Sequence, residues 1–246
     1  MQSGNFGKHA KEYESARPRY PAPLLAFIAS QVSIEQPRVL DLGCGTGIST
    51  RQLAETISVQ VIGCDIDSDM LDVARQHTDQ HIVYCQCDAR TIPYPQASFD
   101  LVTAFTAFHW FTDQAALVEI RRVLKPGGLF CTVQPRHTSP FSGDLRMILS
   151  QELQRPFEPS YSNIDFKESL TSCGFTIVQQ KIYQDSQHYT LDQYMTLLQS
   201  YSVWNQVPSD QSSRLLTILK NHFATKIENG FVRDARDIEV LIATLR

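Results

Sequence analysis

The stretch Val39-Leu-Asp-Leu-Gly-Cys-Gly-Thr-Gly47 constrains this chain more than any other. An apolar, strand-like run ends in glycines at 43, 45 and 47, and a helical pattern follows over 48–56. Glycine permits positive φ and lets a ligand approach the backbone with no Cβ in the way. Further strand-like runs at 38–41, 59–64, 81–85, 99–104 and 128–133 alternate with helical candidates at 67–76 and 113–124. Met70, Leu71 and Ala74 recur at helical spacing, as do Ala116, Leu117, Ile120 and Val123. Lys125-Pro-Gly-Gly128 is expected to end the second helix, because proline cannot continue it and glycine supplies the turn. Such alternation implies βαβ units and a parallel sheet. Later, 166–173 reads as a helix closed by Gly174, 176–183 as a strand, 190–225 as helical, and 237–245 as a closing strand.

Several ligands could use such a loop, and an ordinary tight turn remains the simplest alternative. A phosphate-cradling loop needs Gly-Lys-Ser/Thr, but Ile48 follows Gly47. A dinucleotide loop of the Gly-x-Gly-x-x-Gly type needs glycine at 48. Asp41, two residues before the first glycine, would repel a pyrophosphate and suits a ligand carrying ammonium and sulfonium charge. Asp65 lies 18 residues after Gly47, where doubly wound folds place a carboxylate for ribose hydroxyls. Asp67 is the better candidate to cap the next helix. Asp88 ends the third strand, and strand ends line one crevice.

Composition excludes some partners. The 246 residues carry 22 basic and 26 acidic side chains, a net charge of −4, with no basic cluster, so neither nucleic acid nor an anionic membrane is expected. No 18-residue apolar run is present, and 1–20 lacks the apolar centre of a signal peptide. Most of the six cysteines sit in or beside apolar runs, which implies buried, reduced thiols in a cytoplasmic protein. Cys85-Gln-Cys87 is too tightly spaced for the usual zinc pair and no matching pair lies elsewhere, so no metal site is expected.

Leu-Asp-Leu-Gly-Cys-Gly-Thr-Gly (40–47), Gly-Cys-Asp-Ile-Asp (63–67), Cys-Asp-Ala (87–89), Ser-Phe-Asp-Leu-Val (98–102) and Leu-Lys-Pro-Gly-Gly (124–128) occur in order. Together they resemble the class I S-adenosylmethionine-dependent methyltransferases over 38–135. Tyr13-Glu-Ser-Ala-Arg-Pro-Arg-Tyr-Pro21 is similar to the N-terminal segment of the type 11 subgroup. Phe105-Thr-Ala-Phe-His-Trp-Phe111 and Ser200-Tyr-Ser-Val-Trp204 are similar to segments of trans-aconitate-like small-molecule methyltransferases. The resemblance implies a doubly wound α/β fold with a mostly parallel seven-stranded sheet, an antiparallel C-terminal strand and a helical cap insertion. It implies one domain over 1–246, with 1–30 a lid segment, 38–135 the cofactor-binding core and 186–230 the cap.

S-adenosyl-L-methionine is the implied cofactor, with contacts from Tyr13, Arg17, Asp41, Gly43, Cys44, Gly45, Asp65, Ile66, Met70, Asp88, Ala89, Phe105 and Thr106. Asp88 would accept from the adenine amino group, or is a solvated loop aspartate. Arg17 would bond the methionyl carboxylate, or belongs to a turn fixed by Pro18 and Pro21. Methyl transfer needs positioning and a dry cavity rather than a protein nucleophile or metal. No Asn/Asp-Pro-Pro-Tyr follows the fourth strand; Phe105-Thr106 stands there instead. His109 is the catalytic candidate: a base for a hydroxyl acceptor, an orienting group for a carboxylate, or a ring packed on Trp110. The acceptor pocket is expected between the N-terminal segment, a loop at 134–140 with Arg136 or His137 meeting an anion, and the 190–225 helices. Tyr161, Tyr194, Tyr201 and Trp204 would line it or lie in the core. The functional expectation is methyl transfer to a small molecule at oxygen. The alternative is a cofactor-binding protein without transfer activity, or an enzyme acting on a protein or RNA.

Overall fold

A computed structural model describes residue 7 and residues 10–57, 60–77, 80–157 and 164–245. Strands β1 (Val39–Leu42), β2 (Val61–Asp65), β3 (Ile82–Gln86), β4 (Phe99–Phe105), β5 (Leu124–His137), β6 (Phe175–Tyr189) and β7 (Val232–Leu245) form one sheet of order β3-β2-β1-β4-β5-β7-β6. β1 to β5 pair in parallel, and β7 runs antiparallel between β5 and β6. The order reverses between β1 and β4, so a crevice opens beyond their C-terminal ends. This is the expected doubly wound fold.

Two apolar layers hold the sheet. Helix α5 (Gln114–Val123) lays Leu117 and Ile120 on one face, joined by Leu170 of α7 (Phe166–Ser172). Helices α2 (Ala22–Ser30) and α3 (Ile48–Ile57) cover the other with Leu24, Ile28 and Leu53. Helix α4 (Ser68–Gln76) is capped by Asp67, whose side chain accepts from the amides of Asp69 and Met70, and α5 by Asp113, which accepts from Ala116. A third cluster, above the crevice, unites α6 (Asp144–Leu153), α8 (Leu191–Gln199) and α9 (Ser212–Ala224) through Leu149, Leu198, Leu219 and Phe223. Helix α1 (Ala10–Ala16) packs Ala10 against Met70 and Val73 of α4.

Several expected boundaries need correction. α2 is buried on the sheet, so the expected lid over 1–30 ends before Ala22. The 186–230 insertion begins late, because β6 continues to Tyr189, and it is joined by α6, which the sequence pattern did not reveal. β6 and β7 exceed the expected 176–183 and 237–245. They form a long antiparallel pair joined through the helical cap, and most exposed positions of β6 beyond Val178 carry polar residues, so apolar alternation marks only part of it. The helical pattern over 190–225 breaks into α8 and α9 around a 3-10 turn at Trp204–Gln206, with Pro208 just beyond. The expected loop at 134–140 is strand to His137.

Candidate active site

The glycine loop is built on a buried carboxylate. Asp41 is wholly buried and accepts hydrogen bonds from the hydroxyls of Ser49 and Thr50 (both 2.7 Å) and of Thr103 (2.8 Å). Burial pushes its pKa up to about 6, against the lowering effect of the three hydroxyls. Asp41 does not line the cavity, which corrects its expected role: it braces the loop from beneath and ties the first turn of α3 to β4. Above it, the amides of Gly43 and Cys44 both donate to the Cys64 carbonyl (2.7 and 3.0 Å). Gly47 has φ +83°, and a Cβ there would lie 2.1 Å from the Tyr84 hydroxyl, so any other residue would be strained and would have to displace the Tyr84 ring.

A cavity of about 520 Å³ lies over the ends of β1 to β5, a size typical of small-molecule sites. Of the expected cofactor-contact residues it touches Tyr13, Arg17, Gly43, Cys44, Gly45, Asp65, Ile66, Met70, Asp88, Ala89, Phe105 and Thr106; Asp41 alone is left out. Asp65 accepts from the Gly45 amide (2.7 Å) and the Asp67 amide (2.9 Å). Burial raises its pKa against those bonds. Asp88 accepts from the Arg90 amide and guanidinium (2.9 and 3.1 Å), and Arg90 also reaches Asp113 (2.6 Å). Ile66 leaves 48% of its surface exposed at the cavity, an apolar wall with no side chain packed over it.

Beyond β4, Thr106 holds φ +51°, unusual for a branched residue and costing about 1 kcal/mol or more. Its amide donates to Val133 (2.7 Å), and its hydroxyl meets that of Tyr20 (2.7 Å). His109 sits in a 3-10 turn at Phe108–Trp110, 7% exposed, its ring 4.7 Å from that of Trp110. Burial first, and the charge of Arg17 in addition, lower its pKa to about 4, while a bond with Gln134 opposes them. The imidazole is therefore neutral around pH 7.

The far end of the cavity is roofed by α1 and the helical cap. The Arg17 guanidinium lies between the rings of Tyr13 and Tyr201 (4.7 and 4.6 Å) and donates to the Ser200 carbonyl (2.8 Å). Its buried Nε has no hydrogen-bond partner among the described residues. Glu14 of α1 pairs with Arg51 of α3, which also donates to the Thr46 carbonyl, so α1 is tied to the glycine loop. Tyr194 and Tyr201 line the cavity, whereas Trp204 is buried in the cap core and Tyr161 lies outside the described residues. Asp234 holds the His137 ring at 3.1 Å, and Asp185 pairs with Arg236 at 2.6 Å. Arg136 and Arg146 complete the positive edge. Tyr20, Phe141, Leu145, Phe223 and Arg236 were missed as cavity residues. Tyr20 lay within the recognised N-terminal segment; the others carried no motif.

The Methyltransferase domain family matches residues 40–132. An uncharacterised methyltransferase-like protein of Schizosaccharomyces pombe is 30% identical over 214 residues, 85% of this chain and 82% of its own. This chain belongs to the class I S-adenosylmethionine-dependent methyltransferases. The fatty-acid O-methyltransferase of Mycolicibacterium smegmatis is 34% identical to the methyltransferase over 127 residues, 50% of this chain and 46% of that protein. A solved structure assigned to the type II methyltransferases, from Anaeromyxobacter dehalogenans, superposes with a TM-score of 0.69 at 20% identity, covering 92% of this chain and 97% of that one.

The cavity of the methyltransferase fits its cofactor. The glycine loop and the carboxylates of Asp65 and Asp88 suit a hydroxyl-rich adenosyl group with a cationic sulfur, and the bare flank of Ile66 suits a flat base. No helix among the described residues is long and apolar enough to cross a membrane.

Proposed function

We propose that this methyltransferase acts on a small molecule, at an oxygen of a carboxylate, inside the cavity beneath the helical cap. The observation that carries the reading is the placing of His109, an imidazole buried in the cavity wall against the Trp110 ring, where burial lowers its pKa to about 4. So weak a base is poorly suited to deprotonate a hydroxyl, whereas a carboxylate is already ionised at neutral pH and needs only to be held. Polarity along the cavity agrees. Asp65, Asp67 and Asp88, with Arg90 paired to Asp88, stand at one end, and Arg17, Arg136, Arg146 and Arg236, with Asp234, at the other, so arginines outnumber carboxylates only at the second. Phe141, Leu145, Leu198 and Phe223 give the arginine end an apolar wall, suiting an acid with an apolar body.

S-adenosylmethionine supplies the activated methyl group. Asp65, still bonded to the Gly45 amide, would accept from the ribose hydroxyls, Asp88 would accept from the adenine amino group, and Ile66 and Ala89 would flank the base. Arg17 offers Nε to the methionyl carboxylate. His109 would orient the acceptor oxygen, while Trp110, Tyr20 and the cap would exclude water around it. The name of the M. smegmatis relative, a fatty-acid O-methyltransferase, supports an acid acceptor.

The test uses radiolabelled cofactor and matched pairs of medium-chain carboxylic acids and alcohols. Base-labile methyl esters are expected from the acids and no product from the alcohols. Methyl ethers from the alcohols, or labelling only of added protein or RNA, would refute the reading.

A further inference from the structure

Cys64, next to last in β2, lies directly opposite Cys85 of β3 in the parallel ladder. Cys87 lies two residues beyond Cys85, and the two-residue period of extended chain returns it to the same face. The three Sγ atoms all lie within 4.8 Å of one another. The spacing argument against a metal weighed only Cys85 and Cys87; the fold adds Cys64 from the neighbouring strand.

Three sulfurs sharing one ion at about 2.3 Å stand about 3.8–4.0 Å apart, so each pair has at most about 1 Å to close. All six cysteines are free, so no disulfide occupies these sulfurs. No imidazole or carboxylate belongs to the group, and an all-sulfur set selects soft cations. Cys64 is fully buried, but Cys87 lines the cavity, which gives an ion a way in. Tyr94 donates its hydroxyl to the Cys85 sulfur at 3.8 Å, an outer contact that orients this ligand.

We propose that Cys64, Cys85 and Cys87 form a three-thiolate site for a soft cation, with monovalent copper the best match. Three metal–sulfur bonds form, the thiol protons pass to solvent, and no atom changes oxidation state. The site sits one residue before Asp65 and one before Asp88. A bound ion therefore clamps together the two strand tips that carry these carboxylates. This second consequence rests on the cofactor placement proposed above; ion binding itself does not.

The whole reduced chain is titrated anaerobically with Cu(I) against a coloured Cu(I) chelator, and with Cd(II) followed by thiolate-to-metal absorption. One ion per chain is expected, with affinity falling at least about 100-fold in Cys85→Ser and in Cys87→Ser, and unchanged in Cys173→Ser. Cys85 is the more exposed position, so its variant serves if Cys64→Ser does not fold. Absence of stoichiometric binding by wild type, or binding by Cys85→Ser and Cys87→Ser as tight as that of wild type, would overturn the site. Loss of cofactor binding alone would leave the metal titration unchanged, so failure of the two readings is distinguishable.

Discussion

The two ends of the cavity are built in different ways. At the cofactor end, the lining comes from short segments at strand ends: Gly43 to Thr46 after β1, Asp65 to Asp67 after β2, and Cys87 to Arg90 after β3. Each is placed by the sheet, through hydrogen bonds such as Gly45 to Asp65 and Cys87 to the Asp65 carbonyl. At the acceptor end, Phe141, Leu198 and Phe223 come from elements spread along the chain and are held mainly by side-chain packing. A sheet edge fixes chemistry by topology, whereas a helical cap fixes it only through the complementarity of its own core. Substitutions at the two ends should therefore fail differently: the first in folding and cofactor affinity, the second in turnover and acceptor binding.

The largest effect is expected beneath the glycine loop. Asp41→Ala leaves the hydroxyls of Ser49, Thr50 and Thr103 without their shared acceptor in a dry site, a loss of about 3–5 kcal/mol. In a domain of this size that lowers Tm by about 10 °C or more. The pH dependence has a definite sign. The folded pKa of about 6 exceeds the ordinary carboxylate value, so the native state holds a proton more tightly than the unfolded chain. Stability from this group is full below about pH 4 and is lost as pH rises through 6, about 3 kcal/mol in all. Roughly 1.4 kcal/mol of that falls between pH 5 and 8, and denaturant titrations should show it in wild type but not in Asp41→Asn. Equal slopes in the two proteins would break the assignment of Asp41 as a loop brace.

Next comes Asp65. Asp65→Ala removes the ribose acceptor as well as the partner of the Gly45 amide. Cofactor affinity should fall by about 100-fold, near 2.7 kcal/mol, by calorimetry. Affinity within threefold of wild type would show that the cofactor end is not organised around this strand tip.

His109 sharpens the contrast from the other side. His109→Asn should lower kcat by about 10–100-fold and leave the cofactor Kd within about threefold, because the ring lies at the methyl-transfer end. The pH profile of kcat/KM reports the free enzyme. With the imidazole down at about 4, no His109 step is expected between pH 5.5 and 8. A step near 6.5 that vanishes in the variant would make His109 a general base and favour a hydroxyl acceptor.

The same contrast explains what the sequence disclosed. The place of Gly43, Gly45, Asp65 and Asp88 at the cavity was legible because strand-tip position is local: a glycine or carboxylate at a fixed offset from an apolar run has few alternatives. Asp41 was misread for an instructive reason. Its offset was correct, but strand alternation and the hydroxyls of Ser49, Thr50 and Thr103 turn it under the loop, and Thr103 is 62 residues away. Leu145 and Phe223 were invisible as lining, since a helix stripe reads the same whether it faces a core or a cavity, and Phe141, in a turn, and Arg236, on β7, carried no local signal at all. Cys64 escaped notice beside Cys85 because strand register does not show in linear spacing.

Arg17 tests where the two ends meet. It stacks between Tyr13 of α1 and Tyr201 beyond α8, and donates across to Ser200, so one side chain joins lid and cap. Arg17→Lys keeps the charge but loses the planar fork and most of the stacking. If Nε serves the methionyl carboxylate, the cofactor Kd should rise about 5- to 10-fold, close to 1 kcal/mol, with a smaller change in acceptor KM. The reverse pattern, an unchanged Kd and a raised acceptor KM, would transfer Arg17 to the acceptor. The boundary between the ends would then lie on the cofactor side of α1, and the arginine cluster of the cap would be the larger part of acid recognition.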